Sequence, residues 1–197
     1  MNSNQKIVLD IVLLLPQNIK SLAGEINKSS NTEKYVSFSD GYNPHISLFM
    51  LHTYKNNISE INLKIKKIIS DYQPLNLKLN GFHEGKPGWL AIEKNQILSN
   101  LHKKIADSLK MYNVFPVVRT SFFKSEQIKE DGSLMSYVER FATDLSYENY
   151  DPQISVGKEV NFDGEISKDN FTVDTLGVFH LGNHGTCKEK LEEFKLL

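Results

Sequence analysis

The feature that most constrains this chain is a seven-residue segment that occurs twice. Tyr42–Leu48 reads YNPHISL, and Tyr150–Val156 reads YDPQISV. Only the exchange of His45 for Gln153 changes the chemistry of the segment. In each copy a proline ends the preceding loop, and the following residues alternate polar and apolar, as in a strand with one face in the core. The repeat therefore predicts two similar lobes, each presenting a polar pair of side chains to one cleft.

Length, charge and cysteine usage narrow the class of protein. The 197 residues predict a single domain with two lobes, spanning 1–197. The formal net charge is −1, so we expect no long duplex nucleic acid as a partner. Cys187 is the only cysteine, which excludes an internal disulfide and favours a reducing, cytoplasmic location. We expect this thiol to be an inert buried side chain.

The apolar run Ile7–Leu15 resembles the core of a secretion signal, but Asp10 interrupts it and no small-residue cleavage site follows. It is also too short to span a bilayer. We therefore expect a buried strand that ends at Pro16, and no membrane partner.

Apolar spacing predicts helices and strands that are interspersed along the chain. The predicted helices are 17–30, 58–71, 96–110 and 133–145, with a short charged helix at 187–197. The predicted strands are 5–15, 45–51, 74–82, 89–93, 154–157 and 171–181. The glycine-rich stretch 182–185 is interpreted as a turn into the last helix, with Thr186 as its N-cap. This order predicts an α+β fold with small antiparallel sheets and outer helices.

The chemistry of the repeated segment follows from strand geometry. Alternation places His45 and Ser47 on one face of the first strand, and Gln153 and Ser155 on one face of the second. Two hydroxyls facing one cleft are suited to hold phosphate oxygens. An imidazole beside them can transfer protons near neutral pH, because its pKa lies close to that range.

On these motifs the chain resembles the 2H phosphoesterase superfamily, the LigT-like and 2′–5′ RNA ligase-like proteins that include cyclic phosphodiesterases. The resemblance covers most of the chain, including the opening strand, Pro44–Leu48, Gly88–Leu90, the second motif and Leu176–Leu181. It implies a bilobal α+β fold in which two pseudo-symmetric lobes line a central cleft with antiparallel sheets and carry helices outside. It also implies metal-free and cofactor-free cleavage of a phosphodiester or cyclic phosphate in a small nucleotide or short oligonucleotide. We expect a monomer.

The family pattern carries over to His45 as a catalytic acid or base, and to Ser47 and Ser155 as phosphate-binding residues. It departs at Gln153, where the family has its second catalytic histidine. Glutamine forms hydrogen bonds but does not titrate, and loss of one acid or base costs about 10²–10⁴ in rate.

Three explanations of the glutamine stay open. The chain is a natural nucleotide-binding protein (a sponge) without turnover, an engineered inactive variant, or an enzyme in which another histidine has taken over. His184 is the first candidate for that replacement, before His83 and His52.

Six further side chains are predicted to line the substrate, as stacking partners for a base or as parts of a lid in the irregular segment 112–130. They are Tyr42, Tyr150, Trp89, Arg119, Phe122 and His184. For most of them, packing in the core or an ordinary surface position is the alternative. No cysteine and histidine spacing typical of metal ligands occurs, and no Walker or GxGxxG loop, so the sequence predicts neither a metal nor a cofactor.

Overall fold

The computed structural model describes residues 5–31 and 35–197. In that part of the chain the fold is α+β, as predicted, with eight strands and four α-helices. In chain order the elements are β1 (Lys6–Leu14), α1 (Gln17–Lys28), β2 (His45–Tyr54), α2 (Ile58–Ile69), β3 (Leu75–His83), β4 (Gly88–Ile92), α3 (Gln96–Leu109), α4 (Ser133–Thr143), β5 (Gln153–Gly157), β6 (Asn170–Val173), β7 (Thr175–Gly182) and β8 (Thr186–Lys195).

The first sheet is antiparallel, with strand order β2-β1-β7-β8. β1 lies inside this sheet, and all its residues from 7 to 13 are buried. A strand with neighbours on both sides and both faces covered requires a continuous apolar run, which explains the opening segment of the sequence. Asp10 is the exception, a charged residue with no exposed surface at the centre of the strand.

The second sheet is also antiparallel, with order β5-β4-β3-β6. Along β3, Leu75, Leu77 and Leu79 are buried, whereas Asn76 and Asn80 are exposed. This alternation is that of a strand with one face towards the core, and β4 pairs back on β3 as the predicted hairpin. Each of the two repeated segments therefore begins an edge strand, β2 in one sheet and β5 in the other.

The four long helices lie where apolar spacing predicted them. In α2, for example, Ile61, Ile65 and Ile69 form the buried stripe. The first turn of α3 is capped by Asn95, whose side chain accepts a hydrogen bond from the Leu98 backbone N–H. Within residues 5–31 and 35–197, no helix has the length and apolar character needed to cross a bilayer.

The predicted strand 171–181 is two strands in different sheets. β6 pairs with β3, and β7 pairs with β1. The chain changes sheets at Asp174, whose carboxylate accepts hydrogen bonds from the Thr175 hydroxyl and from Lys195 at 2.6 and 3.0 Å. Continuous apolar character does not distinguish one long strand from two strands that share a core, which explains the error.

The prediction of a C-terminal helix is wrong. Residues from Thr186 to Lys195 form β8, which pairs along β7 and is one edge of the first sheet. The charged residues of this segment suit an edge strand, where half of the side chains meet solvent. The stretch 182–185 is accordingly a hairpin turn, and Thr186 begins a strand instead of capping a helix. His184 and Gly185 adopt positive φ angles of 58° and 69° in this turn.

The irregular segment 112–130 is held by histidines of the first sheet. The buried His52 contacts the carbonyl oxygen of Val114 through Nδ1 at 2.6 Å. His180 contacts the carbonyl oxygen of Ser121 through Nε2 at 2.9 Å. The Phe123 N–H also donates to the Leu181 carbonyl at 2.9 Å. These contacts fasten the first part of the segment to β2 and β7, so it is not a free lid.

Candidate active site

The two repeated segments meet where the edge strands of the two sheets approach each other. The Tyr150 hydroxyl donates a hydrogen bond to the carbonyl oxygen of Ser47 at 3.0 Å. Buried His102, from α3, contacts the Leu48 carbonyl oxygen at 2.6 Å and stacks on the Tyr150 ring at a centroid distance of 4.0 Å. His102 also accepts a hydrogen bond from the Tyr147 N–H at 2.8 Å. One buried imidazole thus connects both segments, a role that the sequence did not reveal.

A cavity of about 480 Å³ lies between the two segments. Its wall contains all four polar side chains of the repeat, namely His45, Ser47, Gln153 and Ser155. His184, from the β7–β8 turn, lines the same cavity. Apolar and aromatic groups complete the wall, including Tyr35, Leu134, Tyr137 and Phe141. A concave apolar site with a few convergent polar groups is the usual form of a small-molecule site.

The first segment is hydrogen-bonded to Asp10. The Ser47 hydroxyl donates to Oδ2 of Asp10 at 2.8 Å, and Nε2 of His45 lies 3.3 Å from the same oxygen. The sulfur of Cys187 lies 3.7 Å from that oxygen. On the other side of the ring, Nδ1 of His45 contacts the Asn43 carbonyl oxygen at 2.7 Å. Because a carbonyl oxygen only accepts, Nδ1 carries a proton, and Nε2 is the nitrogen that can exchange one.

The pKa values of this cluster are shifted by burial and by mutual contact. Burial raises the pKa of Asp10, and the contacts with His45 only partly oppose this. Burial disfavours the charged form of His45, but the hydrogen bond and attraction of Asp10 outweigh it and raise the His45 pKa. Burial, with a smaller effect of the Asp10 charge, raises the pKa of the Cys187 thiol. The Asp10–His45 pair therefore holds a shared proton more tightly than the separate groups would.

The second segment differs in that its polar side chains are uncommitted. Among the residues that the structure describes, neither Gln153 nor Ser155 makes a side-chain hydrogen bond, although both line the cavity. The neighbouring Asp151 also lines the cavity and lies 3.9 Å from Lys94. An amide and a hydroxyl without internal partners are available to a ligand.

The lining of the cavity includes more positive than negative side chains. Lys86, Lys129 and Lys158 line it, together with Asp131 and the Asp151 already described. Burial, assisted by the charges of Lys158 and Lys129, lowers the His184 pKa from 6.5 to about 4. His184 is therefore neutral at pH 7 and can accept a proton or a hydrogen bond there.

Five of the predicted lining residues lie outside the cavity wall. Tyr150 and Phe122 are buried, with 3 % of their surface exposed. Trp89 stacks on His83 at a centroid distance of 5.4 Å. Arg119 lies 3.4 Å from Glu130 and donates to the Ile128 carbonyl. The Tyr42 ring faces the Lys188 ammonium at 4.9 Å.

Of the three histidines considered as replacements for the missing one, only His184 lines the cavity. His52 is buried against the segment that follows α3, and His83 belongs to the β3–β4 hairpin. Asp10, which contacts the first repeated segment, is a site residue that the sequence analysis did not identify, although the sequence contains one signal for it. Asp10 interrupts an otherwise apolar run, and a buried carboxylate requires a partner.

Comparison with solved structures supports the fold described above. No protein-family model matches the sequence, and no curated protein matches it. Among solved structures, TT0787 of Thermus thermophilus superimposes with a TM-score of 0.60 at 12 % identity, over 96 % of this chain and 98 % of that chain. LigT of E. coli complexed with NADP+ gives 0.59 at 12 %, over 97 % and 98 %. The complex of the same LigT with ATP gives 0.60 at 13 %, over 98 % and 99 %. The chain thus has the LigT-like fold over nearly its full length.

Proposed function

We propose that this cavity binds a phosphate group of a small nucleotide or short oligonucleotide, and that the chain is a 2H-type phosphodiesterase. The substrate would be a 2′,3′-cyclic phosphate, a 2′–5′ linkage or a small cyclic nucleotide. The observation that carries the proposal is the convergence of His45, Ser47, Gln153 and Ser155 on one cavity wall. The likeness in fold to LigT of E. coli complexed with phosphate and with 3′-AMP supports this ligand class.

In this proposal His45 is the proton-transfer group. Its Nδ1 proton is held by the Asn43 carbonyl oxygen, so Nε2 receives or gives the proton. Ser155 and Gln153 bind phosphate oxygens, because their hydrogen-bonding groups have no partner among the described residues. The Ser47 proton is donated to Asp10, so Ser47 contributes to phosphate binding only after its hydroxyl rotates. Lys129 and Lys158, which line the cavity, attract the negative ligand.

Turnover by this sequence is impaired at Gln153, since the amide cannot transfer a proton. The expected loss is about 10²–10⁴ in rate relative to a two-histidine site. His184 can replace only the proton-accepting part of this function, because it lines the same cavity and is neutral at pH 7. That the protein is cytoplasmic, monomeric and folded as one bilobal domain stays a prediction from the sequence.

A second candidate function is binding without turnover. It is favoured by the contact between Asp10 and Nε2 of His45, which engages the one nitrogen that would act on a substrate. Such a protein would sequester a small nucleotide, with Ser155 and Gln153 as its principal phosphate contacts.

The test is to restore the missing histidine. In chelator-treated buffer, Gln153→His should raise turnover of a panel of 2′,3′-cyclic nucleotides, cyclic oligonucleotides and 2′–5′ oligoadenylates by about 10²–10⁴. Gln153→Leu is the matched control and should not gain activity. Adding His45→Ala to the Gln153→His variant should abolish the gain. Product analysis identifies the linkage cleaved.

Binding is measured in parallel by calorimetry with the same panel. Binding by the unmodified chain without product, together with no gain in Gln153→His, would contradict the enzyme and support sequestration. The absence of both binding and turnover would contradict both candidates. Loss of residual turnover in His184→Asn would assign the second proton transfer to His184.

A further inference from the structure

Three side chains with different donor atoms converge around His45, which lines the cavity. Asp10 comes from β1, His45 from β2 and Cys187 from β8. Oδ2 of Asp10 lies 3.3 Å from Nε2 of His45 and 3.7 Å from Sγ of Cys187, and the sulfur lies 3.7 Å from that nitrogen. The three ligand atoms all lie within 4.8 Å of one another. β8 reaches this position because Cys187 also pairs with Asn43, just before β2.

These separations match the coordination geometry of one zinc ion. Zinc binds nitrogen and oxygen at about 2.0–2.2 Å and thiolate sulfur at about 2.3 Å, in tetrahedral arrangement. Two atoms bound in this way lie about 3.3–3.6 Å from each other. The three observed distances differ from that range by no more than about 0.1–0.2 Å, a shift that side-chain rotation accommodates.

The groups around the three residues are arranged as they are around bound zinc. A metal-binding histidine almost always donates its other ring N–H to a carbonyl or carboxylate, and His45 Nδ1 contacts the Asn43 carbonyl at 2.7 Å. A metal-binding carboxylate is itself hydrogen-bonded, and Asp10 accepts from Ser47 at 2.8 Å. The Asn43 N–H donates to the Cys187 carbonyl at 2.8 Å, which holds the backbone of the third residue.

A second observation is the state of the Asp10 carboxyl group. The side chain has no exposed surface, and its Oδ1 atom has no hydrogen-bond partner among the described residues. A buried oxygen without a partner costs about 1–3 kcal/mol or more, and binding of an ion by both oxygens of this carboxylate would satisfy Oδ1 as well as Oδ2. A carboxylate and a thiolate together would neutralise a divalent cation, which makes the filled site acceptable in a dry interior.

We propose that Asp10, His45 and Cys187 bind a Zn²⁺ ion. The mixed nitrogen, sulfur and oxygen donor set selects zinc over magnesium or calcium, which prefer oxygen alone. The ion would occupy Nε2 of His45, so the zinc-bound form could not use that nitrogen for the proton transfer proposed above. The site rests on these contacts alone, independently of the nucleotide proposed above.

The test uses the full chain after removal of metal by a chelator. Titration with Co²⁺, as a spectroscopic substitute for zinc, should give a thiolate-to-cobalt absorption band that saturates at one ion per chain. Zn²⁺ should displace the cobalt and bleach the band. Because Cys187 is the only cysteine, such a band identifies this thiol without any substitution. The absence of the band, or saturation only at several ions per chain, would overturn the proposal.

Variants identify the other ligands. Cys187→Ala and Asp10→Asn should each weaken Zn²⁺ binding by about 100-fold or more. His83→Ala is the matched control, because His83 lies on the β3–β4 hairpin, and it should bind zinc as the unmodified chain does. Saturating zinc should raise the melting temperature of the unmodified chain by about 5 °C and that of the two ligand variants by less than about 1 °C.

The melting curves also show that the variants fold. Equal zinc affinity in the unmodified chain and Cys187→Ala would overturn the proposal. If only a proton links Asp10 and His45, the chain binds no cobalt at this site and zinc leaves its melting temperature unchanged.

Discussion

The two copies of the repeated segment have nearly the same sequence, but their polar side chains differ in whether they contact other residues of the protein. In the first copy, His45 and Ser47 both contact Asp10. In the second copy, the side chains of Gln153 and Ser155 have no partner among the described residues. The difference arises in the neighbouring strands. β1 places a buried carboxylate beside the first copy, whereas β4 places Ala91 and Trp89 opposite the second.

The comparison teaches that a duplicated motif does not guarantee duplicated chemistry. A strand motif specifies which side chains share a face, but the next strand in the sheet specifies what they touch. The first copy is therefore the half of the cavity that holds protons or a metal, and the second copy is the half that is free to bind a ligand. Three measurements of stability, all in chelator-treated buffer, test that division.

The largest effect is expected when the ring that faces Asp10 is removed. His45→Ala should lower the free energy of unfolding by about 3 kcal/mol, because it removes the cationic partner of a buried carboxyl group and leaves that group only the contacts with Ser47 and Cys187. Adding Asp10→Asn should recover most of the loss. Gln153→Ala, the matched change in the second copy, should cost less than about 0.5 kcal/mol. Urea denaturation of the four proteins gives the comparison, and equal losses for His45→Ala and Gln153→Ala would show that the two copies are equivalent.

A smaller effect is expected for the tyrosines that open the two copies. Tyr150→Phe removes the hydrogen bond to the Ser47 carbonyl and should cost about 1 kcal/mol. Tyr42→Phe removes a hydroxyl that has no hydrogen bond among the described residues, so its cost should be close to zero. Thermal and urea unfolding measure both. A cost for Tyr42→Phe as large as that for Tyr150→Phe would contradict the asymmetry between the copies.

The smallest effect concerns His184, which belongs to the open part of the cavity. Its pKa is about 4 in the folded chain and 6.5 ordinarily, so between these values the unfolded chain holds a proton that the folded chain releases. Lowering the pH from 6.5 to 4 therefore favours unfolding at this residue. Because the ring is partly exposed, the effect should be less than about 1 kcal/mol. His184→Asn, which tolerates the positive φ angle, should remove it.

The measurement for His184 is the difference in unfolding free energy between the two proteins across this pH range. Buried His52 and His102 also have lowered pKa values, and they are present in both proteins, so their contribution cancels. A difference that does not change with pH would mean that the ring is freely solvated and that the cavity is more open than the structure describes.

Local pattern predicted most of the elements because their signals are short-range. The helical stripe of α2 and the alternation of β3 each reflect burial of one face, which a single window of sequence records. The prediction of a helix for 187–197 failed because β8 is a strand only through its pairing with β7. A segment of alternating lysine and glutamate has no strong preference of its own, so the available sheet edge decided its structure.

The sequence by itself determined the repeated segment, the exchange of His45 for Gln153, the α+β class and the buried course of β1. Tertiary structure alone decided that Asp10 and Cys187 meet His45 and that His102 joins the two copies. It also decided that the side chains of Gln153 and Ser155 have no hydrogen-bond partner among residues 5–31 and 35–197. The physical reason is separation along the chain, since Asp10, His45 and Cys187 become neighbours only through the pairing of three distant strands. A carboxylate within an apolar run indicates that this group needs a buried partner, but only the folded sheet identifies that partner.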